Sequence, residues 1–236
     1  MRKKRFIYTL AAVLLMCSAA GVGAGCGKSS PALLDSFGTH LDTLMTSKDK
    51  LSKMDGAAAD LCVIENEDEF SENDIEAPAG ALFNITDQKT LYSKNANDER
   101  EIASITKIMT ALLAMKYADL SQEVTISYTP EGLESSAVLC GFEQGDKMML
   151  SSLLSAALIY SGNDAAIDIA IAVAGSQEAF VDMMNQESKE LMTSHTHFAN
   201  PTGLTQSKHY SSVYDVYLMF QECLKYPTFR DIIARG

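Results

Sequence analysis

The chain has 236 residues, 47% of them hydrophobic, with 31 acidic against 19 basic side chains and a formal net charge of −12. That apolar content is enough for a packed core and excludes a chain that is disordered throughout. The acidic balance argues against nucleic-acid binding, because too few cations remain to neutralise phosphates.

The N-terminus carries a targeting pattern. Arg2, Lys3, Lys4 and Arg5 form a positive region, Phe6 to Ala20 an apolar stretch, and Gly21 to Gly25 a run of small residues. This reads as a secretory signal over residues 1–25, so the mature protein is expected outside the cytoplasm. The apolar stretch is short of the ~20 residues a membrane-spanning helix needs. Two processing routes are open. Cleavage after Ala24 releases a soluble protein. Cleavage before Cys26 makes that cysteine a lipidated N-terminus, anchored at the outer face of a bacterial cell membrane. The small residues before Cys26 and the polar Gly27-Lys28-Ser29-Ser30 after it resemble a lipoprotein signal, whereas Gly23 stands where such signals usually carry Leu. A diacylated Cys26 would have the two chains that stable anchoring requires.

Residues 26–77 read as a tether and acidic linker, with some helical character from Leu33 to Met54. Asp60, Glu65, Glu67, Asp68, Glu69, Glu72, Asp74 and Glu76 make a solvated run whose spacing does not fit an EF-hand calcium loop. Cys62, Cys140 and Cys223 are scattered, with no Cys-x-x-Cys and no histidine at metal spacing. They are expected to be small buried residues rather than disulfide, redox or metal sites.

Order is expected from residue 78 onward. Ala79 to Thr86 and Thr90 to Lys94 are β-type runs around the turn Asp87-Gln88-Lys89, which predicts a hairpin. Helices are predicted at Ile102 to Tyr117, Lys147 to Tyr160, Asp164 to Ala174 closed by Gly175, Gln177 to Met192 capped by Ser176, and Val213 to Lys225. The last is capped by Ser211 or Ser212 and stopped by Pro227.

Two short motifs carry chemistry. Ser-x-x-Lys occurs as Ser47 to Lys50, inside the tether, and as Ser104-Ile105-Thr106-Lys107, at the start of an apolar helix. Positions i and i+3 share a helix face, so the Lys107 amine can reach the Ser104 hydroxyl. Burial beside the apolar face would favour the neutral amine, a general base for a serine nucleophile. The bland alternative is a capping serine and an exposed lysine. Ser-x-Asn occurs at Ser71 to Asn73, at Ser93 to Asn95 and at Ser161-Gly162-Asn163, the last between two apolar helices. There Ser161 could relay a proton and Asn163 could bind a carbonyl or hold the lysine. The competing reading is a helix C-cap, with Asn163 or Asp164 capping the next helix.

Four blocks in order then stand together: Ala103-Ser104-Ile105-Thr106-Lys107-Ile108-Met109-Thr110, Tyr160-Ser161-Gly162-Asn163-Asp164-Ala165-Ala166, Phe198-Ala199-Asn200-Pro201-Thr202-Gly203-Leu204, and His209-Tyr210-Ser211. Over about residues 78–236 this resembles the low-molecular-mass penicillin-binding proteins, serine-type D-alanyl-D-alanine carboxypeptidases. The resemblance implies an α+β fold of the β-lactamase/transpeptidase type, a helical lobe beside an antiparallel sheet flanked by helices. It implies Ser104 as nucleophile, Lys107 as general base, Ser161 as proton relay and Asn163 as substrate-amide contact. Peptidoglycan stem peptides would be the substrates and β-lactams acylating inhibitors, with no cofactor or metal. The Asn200 to Gly203 run and His209 are expected to be structural.

One departure stands out. The family's third motif, Lys-Thr-Gly or Lys-Ser-Gly on a strand at the cleft edge, is absent from these 236 residues. In the family it would fall past Gly236, so the sheet is expected to be incomplete and activity weak or absent; loss of one oxyanion donor alone costs ~10²–10³ in rate. The alternatives are a non-catalytic wall-binding lipoprotein or inert fragment, and a class A β-lactamase. The latter fits less well, because Gly162 replaces its usual Asp and no Glu-x-x-Leu-Asn follows.

Overall fold

A computed structural model describes residues 61–64, 75–127, 133 and 137–235. The leader, Cys26, the predicted Leu33 to Met54 helix, most of the acidic run and the Ser47 and Ser71 motif copies lie outside the described residues. The chain divides into two compact units, one ending at Ala96 and the other beginning at Asn97.

In the first unit, β1 (Gly80–Asn84) and β2 (Lys89–Lys94) pair antiparallel, Gly80 opposite Lys94 and Asn84 opposite Lys89, with an irregularity between Leu82 and Phe83. The turn forms because Asn84 can mimic a backbone turn. Its Oδ1 accepts from the amides of Thr86 and Asp87, each at 3.1 Å. Leu82, Leu91 and Tyr92 are buried together with Ile75 against them. Ser93 and Asn95, one of the other Ser-x-Asn copies, belong to this hairpin unit; Asn95 Nδ2 donates to Pro78 O at 2.8 Å.

The second unit is mainly helical. A 3₁₀ turn (Ala103–Thr106) leads into α1 (Lys107–Tyr117). Then follow β3 (Glu123–Thr125), β4 (Lys147–Met149), α2 (Leu150–Ser155), a π-helical turn (Ala156–Tyr160), α3 (Asn163–Ala174), α4 (Gln177–Glu190), α5 (Val213–Leu224) and α6 (Pro227–Ile233). Helix α1 is buried nearly all round through Met109, Ala111, Leu112, Leu113 and Ala114, and packs on α3 and α5. Alanines 165, 166 and 170 on α3 are fully buried, and α3 packs on α1, α2 and α4.

The helix ends follow their sequence signals. Gly175 closes α3 in the left-handed conformation, φ 84°, and its N–H bonds Ile171 O at 2.8 Å. Ser176 Oγ accepts from Ala179 N at 3.1 Å, and Ser212 Oγ, rather than Ser211, accepts from Asp215 N at 3.1 Å.

Two expectations are corrected. Residues 147–149 are not helical; they pair with Glu123–Thr125, Glu123 opposite Met149, a strand too short to show a period of two. Pro227 does not merely stop a helix. It occupies the first turn of α6, where its missing N–H is no loss.

Candidate active site

Ser104, expected at the start of an Ile102 to Tyr117 helix, lies in the 3₁₀ turn that precedes α1. In such a turn residues i and i+3 eclipse one another, which stacks Ser104 over Lys107. Lys107 Nζ lies 3.2 Å from Ser104 Oγ. The serine is exposed, whereas Lys107 is only 2% exposed. Immediately before them Ala103 adopts a left-handed φ of 46°, an unfavourable geometry for a residue with a Cβ.

The second motif arrives by an unusual helix ending. Helix α2 widens into the π-turn, Gly162 N donates to Ala156 O at 3.3 Å, and Ser161 turns left-handed at φ 64°. Both π-turns and left-handed non-glycine residues gather at functional sites, and here they direct Ser161 at the lysine. Ser161 Oγ lies 3.5 Å and Asn163 Oδ1 2.9 Å from Lys107 Nζ. Ser161 is thus also the C-cap residue of the preceding helix, so its two readings coexist. Neither Asn163 nor Asp164 caps α3; Gly162 occupies that position without a side-chain bond.

The buried Asp164 carboxylate has another task. Oδ1 accepts from Cys140 N at 3.0 Å and Ala165 N at 2.9 Å, and Oδ2 from Gly141 N at 3.0 Å. With Asn163 N donating to Val138 O at 2.8 Å, these bonds pin the 138–141 segment along the start of α3.

A third segment completes the surroundings of the lysine, one that residue types alone did not reveal. The carbonyl oxygen of Thr202 lies 2.9 Å from Lys107 Nζ, and Thr110 Oγ1 donates to Pro201 O at 2.7 Å. The turn around Asn200 to Gly203 therefore reaches into the site, although its side chains act structurally as expected. His209 is structural too. Ala199 N donates to Nδ1 at 3.0 Å, so the ring proton resides on Nε2, which donates to Thr106 Oγ1 at 2.7 Å. Burial, with a smaller contribution from His197, pushes its pKa down to about 4 and keeps the ring neutral.

Burial also lowers the Lys107 pKa to about 8, against the smaller opposing influence of Cys140 and Asp164. The neutral amine has two N–H donors and one lone pair. Asn163 Oδ1 and Thr202 O can only accept, so they take the two protons. The lone pair is left for a hydroxyl, and Ser104 Oγ is the nearer of the two. This arrangement can remove the Ser104 proton and return it through Ser161.

The half-buried Cys140 thiol is pushed up to about 11, first by burial and then by Asp164. Cys62 and Cys223 are buried thiols, outside any disulfide, that donate to Asn84 O and Ile108 O, each at 3.5 Å. Among the described residues no three His, Cys, Asp or Glu side chains are grouped to hold a metal ion, and no helix is long and apolar enough to cross a membrane.

The family model described as D-alanyl-D-alanine carboxypeptidase matches residues 66–233. The chain is 41% identical over 156 residues to the D-alanyl-D-alanine carboxypeptidase DacF of Bacillus subtilis (strain 168), covering 64% of this chain and 40% of the relative. It is 32% identical over 160 residues to DacA of Escherichia coli (strain K12), again covering 64% of this chain and 40% of the relative. The chain thus spans about two fifths of the length of these relatives. Among solved structures, a mutant of the Streptomyces K15 DD-transpeptidase superposes with a TM-score of 0.64 at 28% identity, covering 67% of this chain and 65% of that one. Penicillin binding protein 6B from Escherichia coli gives 0.58 at 26% identity, covering 61% of this chain and 50% of that one. The fold is that of this β-lactamase/transpeptidase group, as expected from the motif blocks.

Proposed function

The chain belongs to the D-alanyl-D-alanine carboxypeptidase family, and on that premise we propose that it carries the acylation half of a serine-type, penicillin-binding D-Ala-D-Ala carboxypeptidase. The observation that carries this reading is the buried Lys107 amine held between two carbonyl oxygens, with Ser104 Oγ at 3.2 Å and Ser161 Oγ at 3.5 Å.

In the proposed reaction Ser104 Oγ attacks the carbonyl carbon of the penultimate D-Ala as its proton passes to Lys107 Nζ. The new O–C bond gives a tetrahedral intermediate. Its C–N bond then breaks, and the departing D-Ala amine takes the proton from Lys107 by way of Ser161. Water then attacks the ester carbonyl and gives a proton to Lys107; the Ser104 Oγ–C bond breaks, Lys107 returns that proton to Ser104 Oγ, and the shortened stem peptide leaves with both residues restored. Asn163 both fixes Lys107 and presents its amide toward the substrate. A β-lactam would acylate the same oxygen. No Lys-Thr-Gly or Lys-Ser-Gly tripeptide occurs in these 236 residues, so no residue here is assigned to the substrate's terminal carboxylate.

Export and anchoring belong to the same proposal. Arg2 to Arg5, the apolar Phe6 to Ala20 and the small residues before Cys26 support an exported protein held at the outer membrane face by lipid on Cys26.

The test is incubation with a fluorescent penicillin, on this chain and on any longer natural form. Covalent labelling that disappears in Ser104→Ala supports the assignment. Labelling that survives this substitution rules out Ser104, and a complete lack of labelling favours a non-catalytic wall-binding role. Fast release of the label would point to a β-lactamase instead.

A further inference from the structure

One side chain organises the turn that reaches Lys107. Asn200 Oδ1 accepts from Thr202 N at 3.1 Å, Thr202 Oγ1 at 2.9 Å and Gly203 N at 2.7 Å. Its Nδ2 donates to Leu204 O at 2.9 Å and Gln206 Oε1 at 3.1 Å. Every polar atom of the amide is thus engaged within residues 200–206. The carbonyls of Pro201 and Thr202 are left to face α1, where they accept from Thr110 Oγ1 and Lys107 Nζ. Gly203 rests against the backbone under the nucleophile, since a Cβ there would stand 1.8 Å from Ala103 O.

We propose that Asn200 is a positioning residue for the general base: by locking the 200–203 turn it holds the Thr202 carbonyl against Lys107 and so aims the amine's lone pair at Ser104. This role presupposes Lys107 as the base of the proposed reaction. A neutral amine held by two acceptors has one lone-pair direction. With the Thr202 carbonyl loosened, one N–H is free to point at Ser104 instead, and a serine hydroxyl facing a donor is not activated. Asn163 alone cannot prevent this, because either N–H can satisfy a single acceptor, which lets the other N–H and the lone pair exchange directions.

Two variants separate positioning from folding. Asn200→Ala removes all three acceptor bonds. Asn200→Asp keeps an oxygen for Thr202 N, Thr202 Oγ1 and Gly203 N, but gives up both Nδ2 bonds, to Leu204 O and Gln206 Oε1. In Asn200→Ala the penicillin acylation rate is expected to fall by about 10²-fold, the scale of a misplaced reacting group. Its rising pH limb should also move to lower pH, because a carbonyl that accepts from the ammonium favours the charged lysine. Asn200→Asp should recover part of the rate.

A second readout needs no substrate. The Lys107 signal in ¹³C-lysine NMR, assigned with Lys107→Met, should titrate at lower pH in Asn200→Ala than in the unsubstituted protein. A merely structural loss would lower amplitude without moving either titration. The proposal is overturned if folded Asn200→Ala keeps the parent Lys107 titration or the parent acylation rate. If the unsubstituted protein is not acylated at all, the functional reading fails while the NMR titration still decides the role of Asn200.

Discussion

Gly162 has backbone angles that any residue adopts, φ −59° and ψ 123°, yet a side chain there has no room. A Cβ would lie 2.3 Å from Cys140 Sγ and 3.0 Å from Asp164 Oδ1. The middle residue of this Ser-x-Asn is therefore fixed by a sulfur on another segment, which Asp164 holds in place. Gly162→Ala is expected to destabilise by about 1–3 kcal/mol, as overpacking does. Cys140→Ala in the same chain should restore most of that loss. Urea denaturation of the two single variants and the double variant checks this; strictly additive losses would rule out the contact. At this scale Ser104, Lys107, Ser161 and Asn163 were legible because side-chain chemistry carries them. The Thr202 carbonyl was not, because every residue has one and only the turn aims it.

Among the elements, the short irregular ones bring the candidate groups together around Lys107. A 3₁₀ turn presents Ser104, a π-turn presents Ser161, and an asparagine-locked turn presents Thr202 O. Apolar periodicity exposes long helices such as α1 and α3, but a three-residue strand or a one-turn change of helix type leaves no period to detect. Gly203 marks where two of these turns meet. It has φ 87°, and its Cα faces the Ala103 carbonyl closely enough to exclude a methyl group. Gly203→Ala should cost about 1–2 kcal/mol from the left-handed backbone alone, before the clash. It should also slow acylation by displacing Ala103 and Ser104. A thermal melt and a labelling time course measure both; a variant with parent stability would show that the turn yields freely.

For the molecule as a whole, a lysine enclosed by α1, α3 and the 200–203 turn is a stability cost that depends on pH. Burial lowers the Lys107 pKa from 10.5 to about 8 in the folded state. Between those values the unfolded chain binds more protons than the folded one, so stability rises with pH across that window. Below pH 8 both states are protonated and the full penalty applies. Relative to Lys107→Met, the parent protein should gain about 3 kcal/mol between pH 8 and 10.5, following 1.36 kcal/mol per pKa unit. Denaturant titrations of both proteins across that range give the difference; a constant offset would mean that Lys107 is not buried as described. The global fold was legible from four ordered motif blocks, because they sit at the junctions where helices meet. The burial that tunes the lysine was foreseeable only in outline, since it depends on what packs from distant segments.

If Ser104 is the nucleophile that Lys107 activates, penicillin acylates that one oxygen and needs that one amine. Intact-mass analysis after prolonged incubation with penicillin, followed by tryptic mapping, tests this directly. The expected result is one adduct, on the Glu101–Lys107 peptide, absent in Ser104→Ala and in Lys107→Met. An adduct on any other peptide, or one that persists in Ser104→Ala, would contradict the assignment.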